Sequence, residues 1–531
     1  PLRYFSGATQ ISIVRDTLKA FEETDLVLLQ GAVGTGKSLV AILTARELGG
    51  GIIVVPTRAL SYQYWQDYGN MDNGIKIEGI KIGVLTGRSN HPCKLYPKWS
   101  ANYKELPCTR KLGEKETRYK ATEECPYFVY NTSNDLTGET DRFSRCMEYN
   151  ALENGRWGVL NVPKEPCSYY KQFLQYAGCD VIVVNSYLFL LEQLLGRLPD
   201  KKFMCVDEMD TFLESLSLRT SFTPHRLKRL EKEGTEVKGV LNEYTELENS
   251  YHALEAVKGF VEDIKSGLVG SFYKQLLRYL ARLDTDYSER YYSRLKRIER
   301  YDSAIAHIEF PLIEFFVPEP AVVWEDIYSK INGKLLVMGA TIQSDEILKE
   351  IYGIKDYTRV KGETKMRGII VHHLNGYRPL DVNHHSWQDV HFKKQYYRVV
   401  RHLVDMAEKP CYVIPHAKHY VLPEIDIEKE SADENVELFK AGKKEVLWST
   451  KIKRGVDFPE AKSCVILKYP FPSSIDPLLR AMEMRLGKQK FGNFYANQAY
   501  RDFIQQIGRG QRKEEQILHF YSPDIRCHRM L

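Results

Sequence analysis

The stretch Gly31-Ala-Val-Gly34-Thr35-Gly36-Lys37-Ser38 constrains this chain more than any other. It follows a short apolar run, Leu26–Leu29, and precedes an amphipathic stretch, Leu39–Leu48. The pattern is GxxxxGK[ST] between a strand and a helix, the context that a phosphate-binding loop requires. Glycines let backbone N–H groups wrap a phosphate chain, and the helix that follows aims its N-terminus at the same charge. On this reading Gly34, Thr35 and Gly36 cradle the nucleotide. Lys37 reaches its β- and γ-phosphates, and Ser38 ligates Mg2+.

Short apolar runs followed by turn residues recur at Ile52–Val55, Val181–Val184, Phe203–Val206 and Leu335–Met338. A later set lies at Cys411–Ile414, Val446–Trp448, Cys464–Leu467 and Ile517–Tyr521. Near-continuous apolar runs of this length are those of parallel strands covered by helices on both faces. With 531 residues the chain exceeds one hydrophobic core, and two α/β domains are the economical account of the two sets. Two segments break the pattern. Residues 88–168 are rich in Cys, Lys and Tyr without clear periodicity. Residues 225–310 contain no proline and carry apolar residues at helical spacing, such as Leu276, Leu277, Leu280 and Leu283, predicting a helical insertion.

A phosphate loop needs a second, acidic element to hold Mg2+ and polarise water. Asp207-Glu208, at the end of the run Phe203–Val206, is the best candidate, although such a pair can also cap the helix that follows. Six of the ten cysteines fall between 93 and 179, which points to a metal or cluster rather than to disulfides. No C-x₂₋₄-C pair occurs there, so iron–sulfur is favoured over zinc. Cys93 and Cys108 open the segment. Cys146 competes with Cys125, and Cys179, just before a strand, reads as core.

Composition adds little about partners. A net charge of +5 decides nothing about a polyanion, and the ten Lys/Arg against five Glu within residues 81–125 fit a solvated loop as well as nucleic acid. No run of 18 or more apolar residues predicts a membrane span, and no secretory signal is visible, so a cytoplasmic (or, in a eukaryote, nuclear) location without membrane partners is expected.

Taken in order, the motifs resemble those of superfamily 2 helicases, and more narrowly the XPD/DinG group of iron–sulfur DNA helicases. Ile53-Val-Val-Pro-Thr57-Arg58 resembles the motif that contacts the DNA backbone after the first crossover, and Val181-Ile-Val-Val-Asn185-Ser186-Tyr187-Leu188 the segment before the acidic motif. Gly339-Ala340-Thr341 resembles the "SAT" coupling motif. Arg454-Gly455-Val456-Asp457-Phe458 resembles the fifth motif, and Gln505-x-x-Gly508-Arg509-x-x-Arg512 the sixth. Cys125-Pro-Tyr-Phe and Cys167-Ser-Tyr-Tyr resemble cluster-ligand contexts.

The resemblance implies an α/β chain with two RecA-like P-loop motor domains, the first carrying an iron–sulfur insertion and a helical arch insertion. The expected limits are 1–90, 169–212 and 316–345 for motor domain 1, 91–168 for the cluster domain, 213–315 for the arch and 346–531 for motor domain 2. It implies catalytic roles for Lys37, Asp207, Glu208, Arg509 and Arg512, with Ser38 and Asp207 on Mg2+ and Gln10, Asp457 and Gln505 at the nucleotide. Cys93, Cys108, Cys125 and Cys167 would hold a [4Fe–4S] cluster, and Thr57, Arg58 and Tyr187 would meet DNA. The implied activity is ATP-dependent unwinding, 5′ to 3′ along single-stranded DNA, at duplex junctions and alongside repair or defence proteins.

Four departures from the family pattern stand out. Gly7 replaces the arginine three residues before Gln10, Met209-Asp210 replaces Ala-His after Asp207-Glu208, Gly339 replaces Ser, and Arg454 replaces Glu. They motivate an alternative: an ATP- and DNA-binding accessory or scaffold subunit of a repair, defence or mobile-element complex that unwinds little.

Overall fold

The computed structural model describes residues 8–32, 34–69, 77, 79–87, 90–98, 106, 125, 127, 146–147, 162–163, 167–172, 175, 179–194, 201–232, 239–254, 260–283, 286–363, 368–374, 377–450, 458, 460–511 and 516–531. Among these, the first set of apolar runs forms a seven-stranded parallel sheet. Its strands are β1 (Leu26–Gln30), β2 (Gly51–Val55), β3 (Ile82–Leu85), β4 (Val181–Asn185), β5 (Phe203–Val206), β10 (Lys334–Gly339) and β11 (Tyr357–Lys361), in the spatial order β11-β1-β10-β5-β2-β4-β3. The inner strands are buried residue after residue, which is why their sequences read as unbroken apolar runs rather than alternating ones. Between β5 and β10, strands β6 (Arg219–Phe222), β7 (Phe260–Asp263), β8 (Ile305–Glu309) and β9 (Leu312–Phe316) form a separate antiparallel sheet ordered β6-β9-β8-β7. The second set forms a five-stranded parallel sheet of β12 (Ile369–His372), β13 (Cys411–Ile414), β14 (Val446–Trp448), β15 (Ser463–Ile466) and β16 (Ile517–Tyr521), ordered β12-β16-β15-β13-β14.

Ten helices matter below: α1 (Gln10–Glu23), α2 (Lys37–Glu47), α3 (Arg58–Tyr68), α4 (Ser186–Leu194), α5 (Met209–Ser215), α6 (Pro224–Lys232), α7 (Val240–Ala253), α8 (Gly267–Leu283), α9 (Asp286–Ile298) and α10 (Lys488–Ile507). Both α/β domains that the two sets of runs predicted are therefore present.

Two expectations need correction. The boundary expected at 345/346 falls too early. β11 pairs in parallel with β1 through Leu26↔Tyr357 to Gln30↔Lys361, so the first motor domain continues at least to Lys361. Tyr357-Thr-Arg-Val-Lys361 is an edge strand with a half-exposed face, so it lacks the apolar run that marked the others. The insertion at 213–315 is also not wholly helical. Helices α6–α9 pack on the β6–β9 sheet, whose strands are only four or five residues long and carry no strong alternation. One continuous core joins motor sheet and insertion. Leu28, Val54 and Val206 belong to the same buried cluster as Phe222, Tyr244, Phe272, Leu295 and Phe315. The described part of the insertion is thus packed onto the seven-stranded sheet.

Candidate nucleotide site and the cleft between the motor domains

The loop after β1 turns through left-handed backbone at Gly34 (φ 78°) and Gly36 (φ 74°), conformations that glycine adopts without steric cost. Gly36 is the N-cap of α2, so the helix begins at Lys37 with its N-terminus at the loop. Lys37 Nζ lies back over the loop and donates to the carbonyl oxygens of Gly31 (2.7 Å) and Ala32 (3.1 Å). Thr35 Oγ1 donates to Ala32 O at 2.8 Å. Gln10, buried in the first turn of α1, donates from Nε2 to Gly36 O at 3.2 Å, which brings the expected nucleotide-contacting glutamine onto the loop itself.

At the end of β5 the chain turns sharply. Glu208 has φ 57°, a left-handed conformation that costs a non-glycine residue free energy. Glu208 occupies the N-cap position of α5 but makes no side-chain capping hydrogen bond, so the helix-cap reading of the acidic pair does not hold for it. Asp207 is buried. Its Oδ2 accepts from Tyr64 Oη at 2.8 Å and its Oδ1 from the Glu208 backbone N–H at 2.9 Å. Burial, then the neighbouring Glu208 charge, pushes the Asp207 carboxyl up to about 6 against the opposing pull of Lys37. Tyr64 lies within hydrogen-bonding reach of Ser38 as well. One tyrosine on α3 therefore joins the two groups expected to share a cation. No sequence signal marked it.

Three residues beyond Asp207, the departures resolve into packing. Asp210 is buried, and its carboxylate receives three donors. Thr341 Oγ1 reaches Oδ2 at 2.8 Å, Gln505 Nε2 reaches the same oxygen at 2.9 Å, and Arg501 is ion-paired with Oδ1. Thr341 follows β10 in the first motor domain, whereas Arg501 and Gln505 sit one turn apart on α10 of the second. A histidine could not accept from all three, whereas an ionised carboxylate is acceptor-only with room for several donors. Arg501 was missed in the sequence. Its spacing of four residues from Gln505 was the available signal. The other two departures also fit each other. A Cβ on Gly339 would stand 3.4 Å from Met209 Cβ and 3.0 Å from Thr341 O, so the larger residue after Glu208 sits against the smaller one at the coupling motif.

The remaining expected residues are placed as follows. Arg509 is buried in a short 3₁₀ turn, Gly508–Gly510, directly after α10, and its carbonyl accepts from Phe458 N at 2.9 Å. Asp457 and Arg512 lie outside the described residues, as does the departure Arg454. Thr57 is the N-cap of α3, its hydroxyl accepting from Leu60 N at 3.2 Å. Arg58 is hydrogen-bonded to Asn90 and stands over the Tyr62 ring. Tyr187 is 46% exposed at the start of α4.

Cys93, Cys125 and Cys167 are buried free thiols, Cys108 lies outside the described residues, and only the backbone of Cys146 is described. The segments carrying the three thiols touch through neighbours: Lys94 Nζ stands 4.5 Å from the Tyr127 ring centre, and the His91 and Tyr169 rings are 5.6 Å apart. Among the described residues no three His, Cys, Asp or Glu side chains are gathered as a metal-holding group. Cys179 is half-buried beside Gly83 at the edge strand β3, rather than fully in the core.

Residues 390–529 match the sequence profile of a helicase C-terminal domain. Comparison with solved structures finds one described as XPD helicase at TM-score 0.68, with 15% identity over 98% of this chain and 96% of that one. An apo XPD structure matches at TM-score 0.62, with 14% identity over 97% and 96% of the two chains. The chain has the fold of these XPD structures. The Xpd4 structure from S. tokodaii agrees, at TM-score 0.60 and 14% identity over 98% and 96%. No curated protein matches the sequence itself. The Asp210 cluster joins the domain of the seven-stranded sheet to that of the five-stranded sheet. No described helix is long and apolar enough to cross a membrane.

Proposed function

We propose that this protein is an ATP-dependent DNA helicase that moves 5′ to 3′ along single-stranded DNA. The observation that carries the reading is the continuity from phosphate loop to second domain. Ser38 and Asp207 share Tyr64, and Asp210, one helical turn on, is held by Arg501 and Gln505 of the opposite domain. A change at the nucleotide therefore has a short physical route to a change between domains.

In this account the loop N–H groups and Lys37 bind the phosphates, and Ser38 with ionised Asp207 holds Mg2+. Glu208 orients the attacking water and accepts its proton. Arg509 and Arg512 stabilise charge on the transferring phosphoryl group from the second domain. Opening and closing of the cleft shifts the two motor domains along the strand. The accessory-subunit alternative rested on the departures. Three of them, Met209, Asp210 and Gly339, are matched by neighbours, which favours a working coupling.

Cys93, Cys108, Cys125 and Cys167 are the proposed ligands of a [4Fe–4S] cluster, the burial of three of them and the contacts between their segments supporting the choice. When bound, such a cluster would cross-link the segments that carry these four cysteines. The test of the function is ATP turnover by the purified protein with and without single-stranded DNA. Stimulation by DNA is expected, and its absence sinks the proposal.

A further inference from the structure

A metal-holding side chain depends on the groups behind it, which fix its orientation and basicity. Behind Asp207 stands Tyr64, which belongs to none of the sequence motifs. It lies on α3 and is 1% exposed. Tyr64 shares one buried cluster with Val40 and Ala41 of α2, Ile53 and Val55 of β2, and Cys205 of β5. Two of these elements, α2 and β5, deliver Ser38 and Asp207. A ring packed among three elements has little rotamer freedom, so its hydroxyl is held in one place.

That hydroxyl has one hydrogen to give, and it goes to Asp207 Oδ2 at 2.8 Å. Asp207 Oδ1 takes the Glu208 backbone N–H at 2.9 Å. One donor on each oxygen pins the plane of the carboxylate and leaves each oxygen a further lone pair for a cation. Ser38 lies within hydrogen-bonding reach of the same tyrosine. A serine that ligates a cation through its oxygen must direct its own hydrogen elsewhere. Tyr64 Oη, with its hydrogen committed to Asp207, can accept it. The hydrogens then run in one direction, from Ser38 to Tyr64 to Asp207.

We infer that Tyr64 is a positioning residue for Mg2+, orienting the Ser38 oxygen and the Asp207 carboxylate before the cation arrives. The inference rests on the ATP-hydrolysing reading of this site and adds to it a residue that no motif supplies. Without that tyrosine the cation has to order both side chains itself, and the cost appears as weaker affinity. Outer partners of this kind are typically worth about 10–100-fold in metal affinity. The competing account is that a buried hydroxyl merely satisfies itself on the nearest carboxylate, and it predicts no effect on the cation.

The test is equilibrium binding of a fluorescent, non-hydrolysable ATP analogue to the full-length protein, first in EDTA and then over a Mg2+ titration. Mg2+ is expected to tighten binding to the wild type. Y64F keeps the ring and loses the hydroxyl. It should bind the analogue in EDTA as the wild type does, while the Mg2+ concentration giving half of the tightening rises about 10–100-fold. Tyr68, one turn further along α3 with its ring 6.1 Å from that of Tyr64, makes no hydrogen bond to Asp207 among the described residues. Y68F is therefore the matched control and should respond to Mg2+ as the wild type does. Y64F with the wild-type Mg2+ response overturns the positioning role and leaves the ATP site standing. Y64F that loses binding in EDTA to the same extent makes Tyr64 a packing residue and overturns the role equally. Wild-type protein whose affinity for the analogue ignores Mg2+ overturns both the role and the site assignment beneath it.

Discussion

Asp210 and Arg501 form a buried ion pair across the two motor domains, their side chains 3% and 4% exposed. Burial pushes the guanidinium down to about 10, which leaves it charged at neutral pH. Breaking a buried pair by removing one partner leaves an uncompensated charge and costs about 3–5 kcal/mol. Arg501→Met should therefore lower the melting temperature clearly and uncouple ATP turnover from DNA. The double variant Asp210→Leu/Arg501→Met should recover much of the stability and none of the coupling. Equal melting temperatures for wild type and Arg501→Met would show that the pair does not hold the domains together.

Asp210→His tests the same junction from the other side. Histidine cannot accept from Thr341, Gln505 and Arg501 together. Basal ATP turnover should persist while the response to single-stranded DNA changes. No change in either would count against Asp210 as the link.

The Met209–Gly339 contact calls for a double-mutant cycle. Gly339→Ser places a side chain against Met209 and the Thr341 carbonyl, an overpacking that typically costs about 1–3 kcal/mol. Met209→Gly removes the Cβ at 3.4 Å but leaves the Thr341 carbonyl at 3.0 Å, so it should relieve part of that loss, and thermal stabilities of the two single variants should not add. Strict additivity would mean the two positions are independent.

If Asp207 holds Mg2+ as proposed, it should set the acid side of the pH profile. Its carboxyl is raised to about 6, chiefly by burial, and in the proposed mechanism only the ionised form would hold Mg2+. In kcat/KM for ATP at limiting Mg2+, activity should fall below about pH 6, and higher Mg2+ should move the limb to lower pH. The folded chain keeps this proton up to about pH 6, whereas the unfolded chain releases it near pH 4. Its contribution to stability is therefore lost as pH rises between those values. An acid limb at the ordinary carboxylate range, insensitive to Mg2+, would exclude Asp207 as the controlling group.

For the cysteines, protein purified without oxygen should contain iron and acid-labile sulfide in equal amounts, and Cys93→Ser should lose both. Zinc in place of iron would refute the cluster.

Much of this was legible in the sequence because parallel strands buried on both faces write themselves as apolar runs, and because a phosphate loop needs glycine at positions like Gly34 and Gly36. What the sequence hid has equally physical reasons. Tyr357–Lys361 is an edge strand without an apolar run, so the sequence places the end of the first α/β domain too early. The short strands β6–β9 lie among longer amphipathic helices whose periodicity dominates. Tyr64 acts through a contact 143 residues away in sequence, with Asp207, that no local pattern encodes. Asp210 was visible as a departure, yet its meaning needed the donors that face it, one of them 291 residues away.

The most direct test of the central claim is strand displacement by the purified protein on a forked duplex with a 5′ single-stranded tail, compared with Glu208→Gln. The account predicts ATP-dependent unwinding by wild type. Glu208→Gln should still bind ATP and the tail but release no phosphate and no strand. Wild-type protein that binds both ligands yet neither hydrolyses ATP nor separates strands, or a Glu208→Gln variant that unwinds at the wild-type rate, would contradict it.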